Sequence, residues 1–260
     1  MCKTIAVSNL KGGVGKTMTA ASLSVGLARK GKRTLVVDCD SQHSLTVSFG
    51  VSEPDKLKNT LASAIMDVIK EDEYEPMAGI IRHTEGVDLL PANRGLTGVE
   101  IALVQATMRE TILRRHVERL KPSYDYIIFD CAPTFGLLTV NVLSAVDSII
   151  IPVCPKFLDA KGMELLLQSI AKIRRQVNHT LAIEGIILTM VDRRAKLTRD
   201  VVASIESAYG GNIRIFSENV PRSVRAAETS GLGVSIFAHD PKGQVAAAYA
   251  ALVEGVLCCG

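Results

Sequence analysis

A glycine-rich segment near the amino terminus, SNLKGGVGKTMT at residues 8–19, constrains the fold of this chain more than any other stretch. It follows a short apolar run at 4–9 and precedes a helical pattern at about 17–30. In such a strand–loop–helix setting, glycine backbones turn their N–H groups around a phosphate, and the helix amino terminus adds its positive end. The segment therefore predicts a phosphate-binding loop.

The loop departs from the usual phosphate-loop pattern at one position. That pattern places a glycine four residues before Gly15-Lys16-Thr17, whereas this chain has Leu10 there, followed by a second lysine, Lys11. We expect Lys16 to reach the β and γ phosphates and Thr17 to offer its hydroxyl to Mg²⁺. The remaining question is what the added lysine does.

Three aspartates stand at the ends of apolar runs and suit the metal and water that phosphoryl transfer requires. Asp130 ends the run in IIFDCAP, and Asp38 and Asp40 follow the run in LVVDCDSQ. An aspartate at a strand end is often only a turn former. Three of them beside a phosphate loop predict a magnesium and catalytic cluster.

Short β-rich runs alternate with longer helical patterns along the whole chain, which predicts a doubly wound, mostly parallel α/β sheet with helices on both faces. The predicted strands are 4–9, 33–38, 87–92, 124–130, 148–153, 184–191 and 212–217. The predicted helices are 17–30, 58–70, 97–120, 136–145, 159–178, 198–209 and 241–257. Without a linker long enough to divide them, these elements predict a single domain over 1–260.

Composition excludes several classes of protein. Thirty basic residues against 27 acidic give a net charge of +3, which by itself does not indicate nucleic acid. None of the six cysteines falls in a zinc-ligand spacing, so reduced thiols are expected. No apolar run approaches the roughly 18 to 20 residues of a membrane span, and no signal peptide precedes the loop. We expect a soluble, cytoplasmic protein.

Five segments resemble the ParA branch of the ParA/MinD family of deviant Walker A ATPases, and the match runs nearly end to end. They are KGGVGKT (11–17), VVDCDSQ (36–42), YDYIIFDCAPTFGLLTVNVLSAVDSIIIPV (124–153), ILTMVDRR (187–194) and NVPRSVRAAETSGLGVSIFAHDPKG (219–243). Three positions depart from the common family pattern without removing a functional group: Met18, Ser41 and Ala132. Ser41 stands where the family has a proline that would stiffen the backbone beside Asp40, so this departure bears mainly on the hydrolysis rate.

The resemblance implies a set of roles. Lys11 would reach across a dimer to the partner's nucleotide, and with Lys16 and Asp40 would form the catalytic set, Asp40 orienting the attacking water. The metal shell would comprise Thr17, Asp38, Asp40 and Asp130. The nucleotide contacts would be Lys11, Gly12, Gly13, Val14, Gly15, Lys16, Thr17 and Met18 in the loop, with Met190, Pro221 and Arg222 near the adenine. The cofactors would be ATP and Mg²⁺, with slow hydrolysis.

The resemblance also implies partners. Members of this branch bind nonspecific DNA, and two basic clusters lie in the corresponding regions: Arg193, Arg194, Lys196 and Arg199, then Arg222 and Arg225. A ParB-type centromere-binding protein would stimulate hydrolysis, and the protein would be a nucleoid-associated homodimer in its ATP state. Because the first strand begins at residue 4, no amino-terminal helix-turn-helix domain is expected. The cargo could be a plasmid, a chromosome or a mobile element.

Three alternatives remain open at the level of sequence. A MinD-like protein would end in a basic amphipathic helix on the membrane, but residues 244–260 contain no lysine or arginine. An iron–sulfur carrier of the same superfamily would need paired cysteines facing across a dimer. A nucleotide-gated regulator of surface polysaccharide synthesis or of protein positioning would share the ATPase core.

Overall fold

The computed structural model describes residues 1–155, 159–192 and 194–258. Within them a seven-stranded sheet has the order β3-β4-β2-β5-β1-β6-β7, and every neighbouring pair is parallel except β3 with β4. The strands are β1 (Lys3–Val7), β2 (Thr34–Cys39), β3 (Ile81–Arg82), β4 (Asp88–Leu90), β5 (Tyr126–Cys131), β6 (Ser148–Val153) and β7 (Ala182–Leu188). The predicted doubly wound α/β fold is confirmed.

Helices cover both faces of the sheet. They are α1 (Lys16–Arg29), α2 (Ser44–Ser48), α3 (Leu61–Lys70), α4 (Gly95–Gln105), α5 (Ile112–Leu120), α6 (Leu137–Ala145), α7 (Asp159–Gln176), α8 (Lys196–Tyr209), α9 (Val224–Leu232), α10 (Ile236–His239) and α11 (Gln244–Leu257). Side chains alternate across each strand, so β1 sends Ala6 to one core and Ile5 and Val7 to the other. The first core lies under α3 to α7, and the second under α1, α2, α10 and α11.

Two predicted elements were wrong. The helix predicted over 97–120 is divided into α4 and α5, and the amide of Asn141 holds the break: its nitrogen donates to the Arg109 carbonyl in the intervening turn (2.7 Å), and its oxygen accepts from the Leu113 N–H in the first turn of α5 (3.1 Å). The strand predicted over 212–217 is reduced to one bridge between Ile215 and Ile186. The short helices α2, α9 and α10 and the antiparallel strand β3 were not predicted.

Candidate nucleotide-binding site

Strand register brings the phosphate loop and two of the aspartates to one edge of the sheet. In the parallel pairs, Asp130 on β5 lies opposite Val7 on β1 and opposite Asp38 on β2. The loop begins just after Val7, so the carboxyl ends of three adjacent strands present it beside two carboxylates. This edge is where ligands bind in open parallel α/β sheets.

The loop is held in its shape by buried hydrogen bonds. Gly13 and Gly15 adopt the left-handed region, with φ of 71° and 83°, which side chains with a Cβ rarely adopt. The Thr189 hydroxyl, at the end of β7, donates to the Val14 carbonyl at 2.7 Å. The Asn9 side chain accepts from the Lys11 N–H at 3.1 Å. Side chains on either side of the phosphate loop, Thr189 and Asn9, therefore hold its backbone in place.

Lys16 is buried at the start of α1, and its ammonium donates to the Lys11 carbonyl at 2.8 Å. Burial lowers its pKa, opposed by the negative charges of Asp130 and Asp40 and by Cys131. The hydrogen bond to the Lys11 carbonyl keeps the Lys16 ammonium beside the loop. It is therefore positioned to contact phosphate oxygens without first moving in from solvent.

The Asp130 carboxylate is the group of this site best suited to binding a cation. Its Oδ1 atom is buried and has no hydrogen-bond partner, while the Thr17 hydroxyl bonds to the carboxylate. Burial, followed by the charge of Asp38, raises the pKa of Asp130 well above its ordinary value. An unpartnered carboxylate oxygen beside a threonine hydroxyl is the hard-oxygen donor set that Mg²⁺ prefers, so these residues fit the ion.

Asp38 is held differently. Its Oδ2 accepts from the backbone N–H (2.8 Å) and hydroxyl (2.7 Å) of Thr46, and its Oδ1 accepts from the Asp40 N–H (3.1 Å). Asp38, like Asp130, is absent from the lining of the cleft. The contacts show a carboxylate that fixes the loop carrying Asp40, and its charge is one of the causes that raise the pKa of Asp130. Its place in the metal shell stays a prediction.

Asp40 is half-buried and lines the cleft beside the phosphate loop. Its Oδ1 accepts from the Gln42 N–H at 2.9 Å, which turns the carboxylate within its own loop. His43, three residues further along, has a φ of 47° and precedes α2, so the loop turns sharply before that helix. The catalytic role of Asp40 remains a prediction, compatible with this placement.

The cleft has a volume of about 350 Å³ and extends beyond the residues that the sequence indicated. From the predicted set it is lined by Gly12, Gly13, Gly15, Lys16, Thr17, Met18, Asp40 and Met190. Its far wall comes from α2 and from α9 and α10, and the turn between β3 and β4 adds Glu85, which accepts from the Ser235 N–H at 2.7 Å. No short motif marks these residues, because four separate segments supply them.

The three residues predicted near the adenine lie together. Val191 and Pro221 form an isolated parallel bridge, and the Arg222 N–H donates to the Val191 carbonyl at 3.4 Å. Met190 lines the cleft with a φ of 53°, a strained conformation of the kind that clusters at binding sites. Pro221 and Arg222 do not line the cleft itself. Their contact with the base therefore stays a prediction.

The same bridge brings the two basic clusters to one side of the molecule. Arg194, Lys196, Arg199, Arg222 and Arg225 are all exposed, whereas Arg193 lies outside the described residues. Arg225 is not a free cation, since its guanidinium lies 3.1 Å from the Asp240 carboxylate. DNA binding by this surface remains to be tested.

Comparison with known proteins adds to this geometry. The model of a family described as an AAA domain matches residues 2–183. The sporulation initiation inhibitor protein Soj of Bacillus subtilis is 37% identical over the full length of both chains. The chromosome partitioning protein ParA of Caulobacter vibrioides is 32% identical, over 98% of this chain and 94% of its own. This chain belongs to the ParA family. It is a ParA-type partitioning ATPase, as the sequence motifs indicated.

A solved structure supports the fold of this ParA-family protein. The cobyrinic acid a,c-diamide synthase of Mycobacterium smegmatis, with bound ATP analogue and magnesium, is 33% identical. It superimposes with a TM-score of 0.85 over 99% of this chain and 95% of its own.

The carboxy-terminal helix of this ParA-family protein has a structural use. The apolar face of α11, including Tyr249, Leu252 and Val253, is buried in the core that α1 shares. Within the described residues, no helix combines the length and hydrophobicity that crossing a bilayer requires.

Proposed function

We propose that this ParA-family protein is an ATP-dependent dimer that coats nonspecific DNA and leaves it when a ParB-type partner stimulates slow hydrolysis. The observation that carries the proposal is the edge where the phosphate loop meets the unpartnered Oδ1 of Asp130. In this reading the protein positions a plasmid, chromosome or mobile element and is nucleoid-associated in the cytoplasm.

The proposed ligand is ATP with Mg²⁺. Loop N–H groups and Lys16 would hold the phosphates, and Thr17 and Asp130 would hold the ion, which neutralises charge on the phosphate oxygens. Relatedness to a protein solved with an ATP analogue and magnesium supports this assignment. Asp40 lines the cleft and would orient the attacking water.

The proposed role of Lys11 is to act on the nucleotide of the second subunit. The Lys11 carbonyl accepts a hydrogen bond from Lys16, and the Lys11 N–H donates one to the Asn9 side chain. The backbone of Lys11 is therefore fixed at the rim of the loop. Two lysines of one loop cannot both usefully surround the same phosphates. A cation supplied in trans is worth about 10³ to 10⁵ in rate in other NTPases, and would make the dimer depend on ATP.

Mixing two inactive variants tests this arrangement. A Lys11→Ala chain keeps Asp40, and an Asp40→Ala chain keeps Lys11. If Lys11 acts in trans, each mixed dimer has one complete site, so a 1:1 mixture should recover about a quarter of parental turnover through random pairing. If Lys11 acts within its own subunit, no site is complete and the mixture stays inactive.

The proposed DNA surface is the arginine-rich side formed by the two basic clusters. Each phosphate that the protein neutralises adds about 0.9 to the steepness with which log affinity falls against log salt concentration. Since these phosphate contacts supply the nonspecific affinity, a monomer that makes few of them binds DNA weakly. A dimer joins two such surfaces and gains avidity of about 10² to 10⁴ if both reach one duplex. ATP would thus control DNA binding through dimerisation.

Co-sedimentation with random duplex, with and without ATP, tests this surface. Arg194→Glu combined with Arg225→Glu should weaken binding to all sequences alike, while dimerisation persists, because neither residue belongs to the predicted nucleotide contacts. Arg82→Glu is the matched control, since Arg82 is also exposed and lies on β3 at the opposite edge of the sheet. If the double variant binds DNA as tightly as the parent, the DNA-binding surface lies elsewhere on the molecule.

The same assay decides the main alternative. If the parent ignores DNA with ATP at about 0.1 M salt but sediments with anionic liposomes, a MinD-like activity replaces the DNA proposal. If it binds DNA, added ParB-type protein should raise phosphate release above a slow basal rate.

A further inference from the structure

A groove opens between helix α7 and the edge strand β7, far from the nucleotide site. Its volume is about 540 Å³. Ile183 is the second residue of β7, whereas Thr189, which binds the phosphate loop, follows the last one. The strand between them rises about 3.3 Å per residue, which places the two residues about 20 Å apart. The groove therefore lies at the opposite end of the sheet from the nucleotide cleft and from the bridge between Val191 and Pro221.

The floor of the groove is apolar. One side of α7 supplies Leu167, Ile170 and Ala171, and β7 supplies Ile183. Ile170 is buried, and Leu167 and Ile183 are half-buried, so the fold holds these three side chains in place. Ala171 is exposed. A concave apolar surface of this kind is a common feature of binding sites.

Two arginines form the charged rim of the groove. Arg174 and Arg175 lie in the last turn of α7, line the groove and are exposed. Among the described residues, no carboxylate forms a salt bridge with either arginine. Glu184, the acidic residue of β7, is already engaged, because its carboxylate lies 3.1 Å from Lys3 Nζ and accepts from the Ser148 hydroxyl at 2.9 Å. The described chain thus leaves the positive charge of the rim unmatched.

We propose that this groove binds an acidic peptide segment of a partner protein, with an aliphatic side chain on the floor and carboxylates at Arg174 and Arg175. From Leu167 to Arg175 the helix rises about 12 Å, at about 1.5 Å per residue, which is the length of about four residues of extended chain. The planar guanidinium group binds carboxylates through two parallel N–H donors, so neighbouring arginines favour an acidic partner. The inference is independent of ATP and of DNA.

The shape of the groove favours a peptide over nucleic acid. β7 is the last strand of the sheet, and Ile215 bridges its outer edge at Ile186. Nearer Ala182, no residue of the described chain pairs with that edge. An extended segment can enter such a groove and also bond to an open strand edge. A DNA duplex would present phosphates along a convex surface and leave the apolar floor uncovered.

Selection from a displayed library of random short peptides, with the full chain immobilised, tests the proposal. We expect the selected peptides to combine carboxylates with leucine, isoleucine or valine. The strongest of them is then synthesised with a fluorescent label, and its affinity is measured by anisotropy. Arg174→Glu combined with Arg175→Glu should weaken its binding at least about tenfold, because attractions become repulsions. Ala171→Trp keeps every charge but fills the groove, and should weaken binding to a similar extent.

Lys172→Glu is the matched control, since Lys172 is exposed on the same helix and does not line the groove. Its affinity for the labelled peptide should stay within about twofold of the parent's, because salt screens an exposed charge outside the contact. All three variants should keep the parental unfolding temperature, ATP affinity and co-sedimentation with DNA, because the groove is remote from both of the other surfaces.

Several results would overturn the inference. One is a selection that yields no acidic peptides, and another is a labelled peptide that binds both groove variants as tightly as the parent. A loss in Lys172→Glu equal to that in the double variant also overturns it, since general attraction to a basic helix would then suffice. Loss of DNA binding in the double variant would assign Arg174 and Arg175 to nucleic acid instead.

Discussion

Thr46 links the catalytic loop to the rest of the fold, and replacing it with valine isolates that link. Its hydroxyl donates to the buried Asp38 carboxylate at 2.7 Å and accepts from the Ala92 N–H at 2.9 Å, with all three residues inaccessible to solvent. Valine keeps the shape and removes both hydrogen bonds. The lost bond to a charged group costs about 1.5–3 kcal/mol and the unpaired N–H about 1–3 kcal/mol, so we expect a destabilisation of roughly 3–5 kcal/mol.

The expected loss depends on pH. Burial raises the pKa of Asp38 from 3.8 to about 6, and the hydrogen bonds from Thr46 oppose that rise. Because the folded pKa lies above the unfolded one, the contribution of Asp38 to stability is complete below about pH 4 and is lost as pH rises through 6, by about 3 kcal/mol in all. Removing the Thr46 hydroxyl raises this pKa further, so the penalty should be larger at pH 8 than at pH 5.

Urea unfolding in EDTA without nucleotide, at pH 5 and pH 8, measures both effects. Thr46→Ser is the control, because it keeps the hydroxyl and loses one methyl group, at a cost of about 1 kcal/mol. The linkage assigned to Asp38 and Thr46 would be refuted if the free energy of unfolding of Thr46→Val lay within 1 kcal/mol of the parent's at pH 8. It would also be refuted if the stability lost in Thr46→Val became smaller between pH 5 and pH 8.

The remaining predictions concern the loop, the catalytic aspartate and helix packing. Lys16→Ala should abolish calorimetric ATP binding, and parental affinity would contradict its role at the phosphates. Asp40→Ala should keep ATP binding and dimerisation in light scattering while phosphate release stops; release at the parental rate would exclude it as the water-orienting group. Gly26→Ala should lower the free energy of unfolding by about 1–3 kcal/mol, because the added Cβ would lie 2.5 Å from Val253 Cγ2. Thermal unfolding measures this loss, which should be smaller when Gly26→Ala is combined with Val253→Ala.

Sequence predicted those parts of the molecule that depend on local pattern. The buried parallel strands are continuous apolar runs, and the glycine loop between β1 and α1 has a spacing that few other structures require. Asp130 was identified for the same reason, since it ends an apolar strand. Each of these signals lies within about ten neighbouring residues.

The failures arise where distant residues decide the local structure. Asn141, on α6, determines that residues 106–111 form a turn instead of continuing α4, and no pattern within 97–120 reveals this contact. The hydroxyl of Thr46 gives Asp38 a structural partner that the sequence motif does not show. The far wall of the cleft is likewise formed by segments that only the fold brings together.

One chain of contacts joins the loop that carries Asp40 to the start of α4. Asp38 holds the Asp40 N–H and Thr46, Thr46 holds the Ala92 N–H, and α4 begins three residues after Ala92. Each hydrogen bond in this series is buried or half-buried, so displacing the carboxylate displaces the groups that position α4. We therefore expect a ligand that fixes Asp40 to restrain the start of α4 as well.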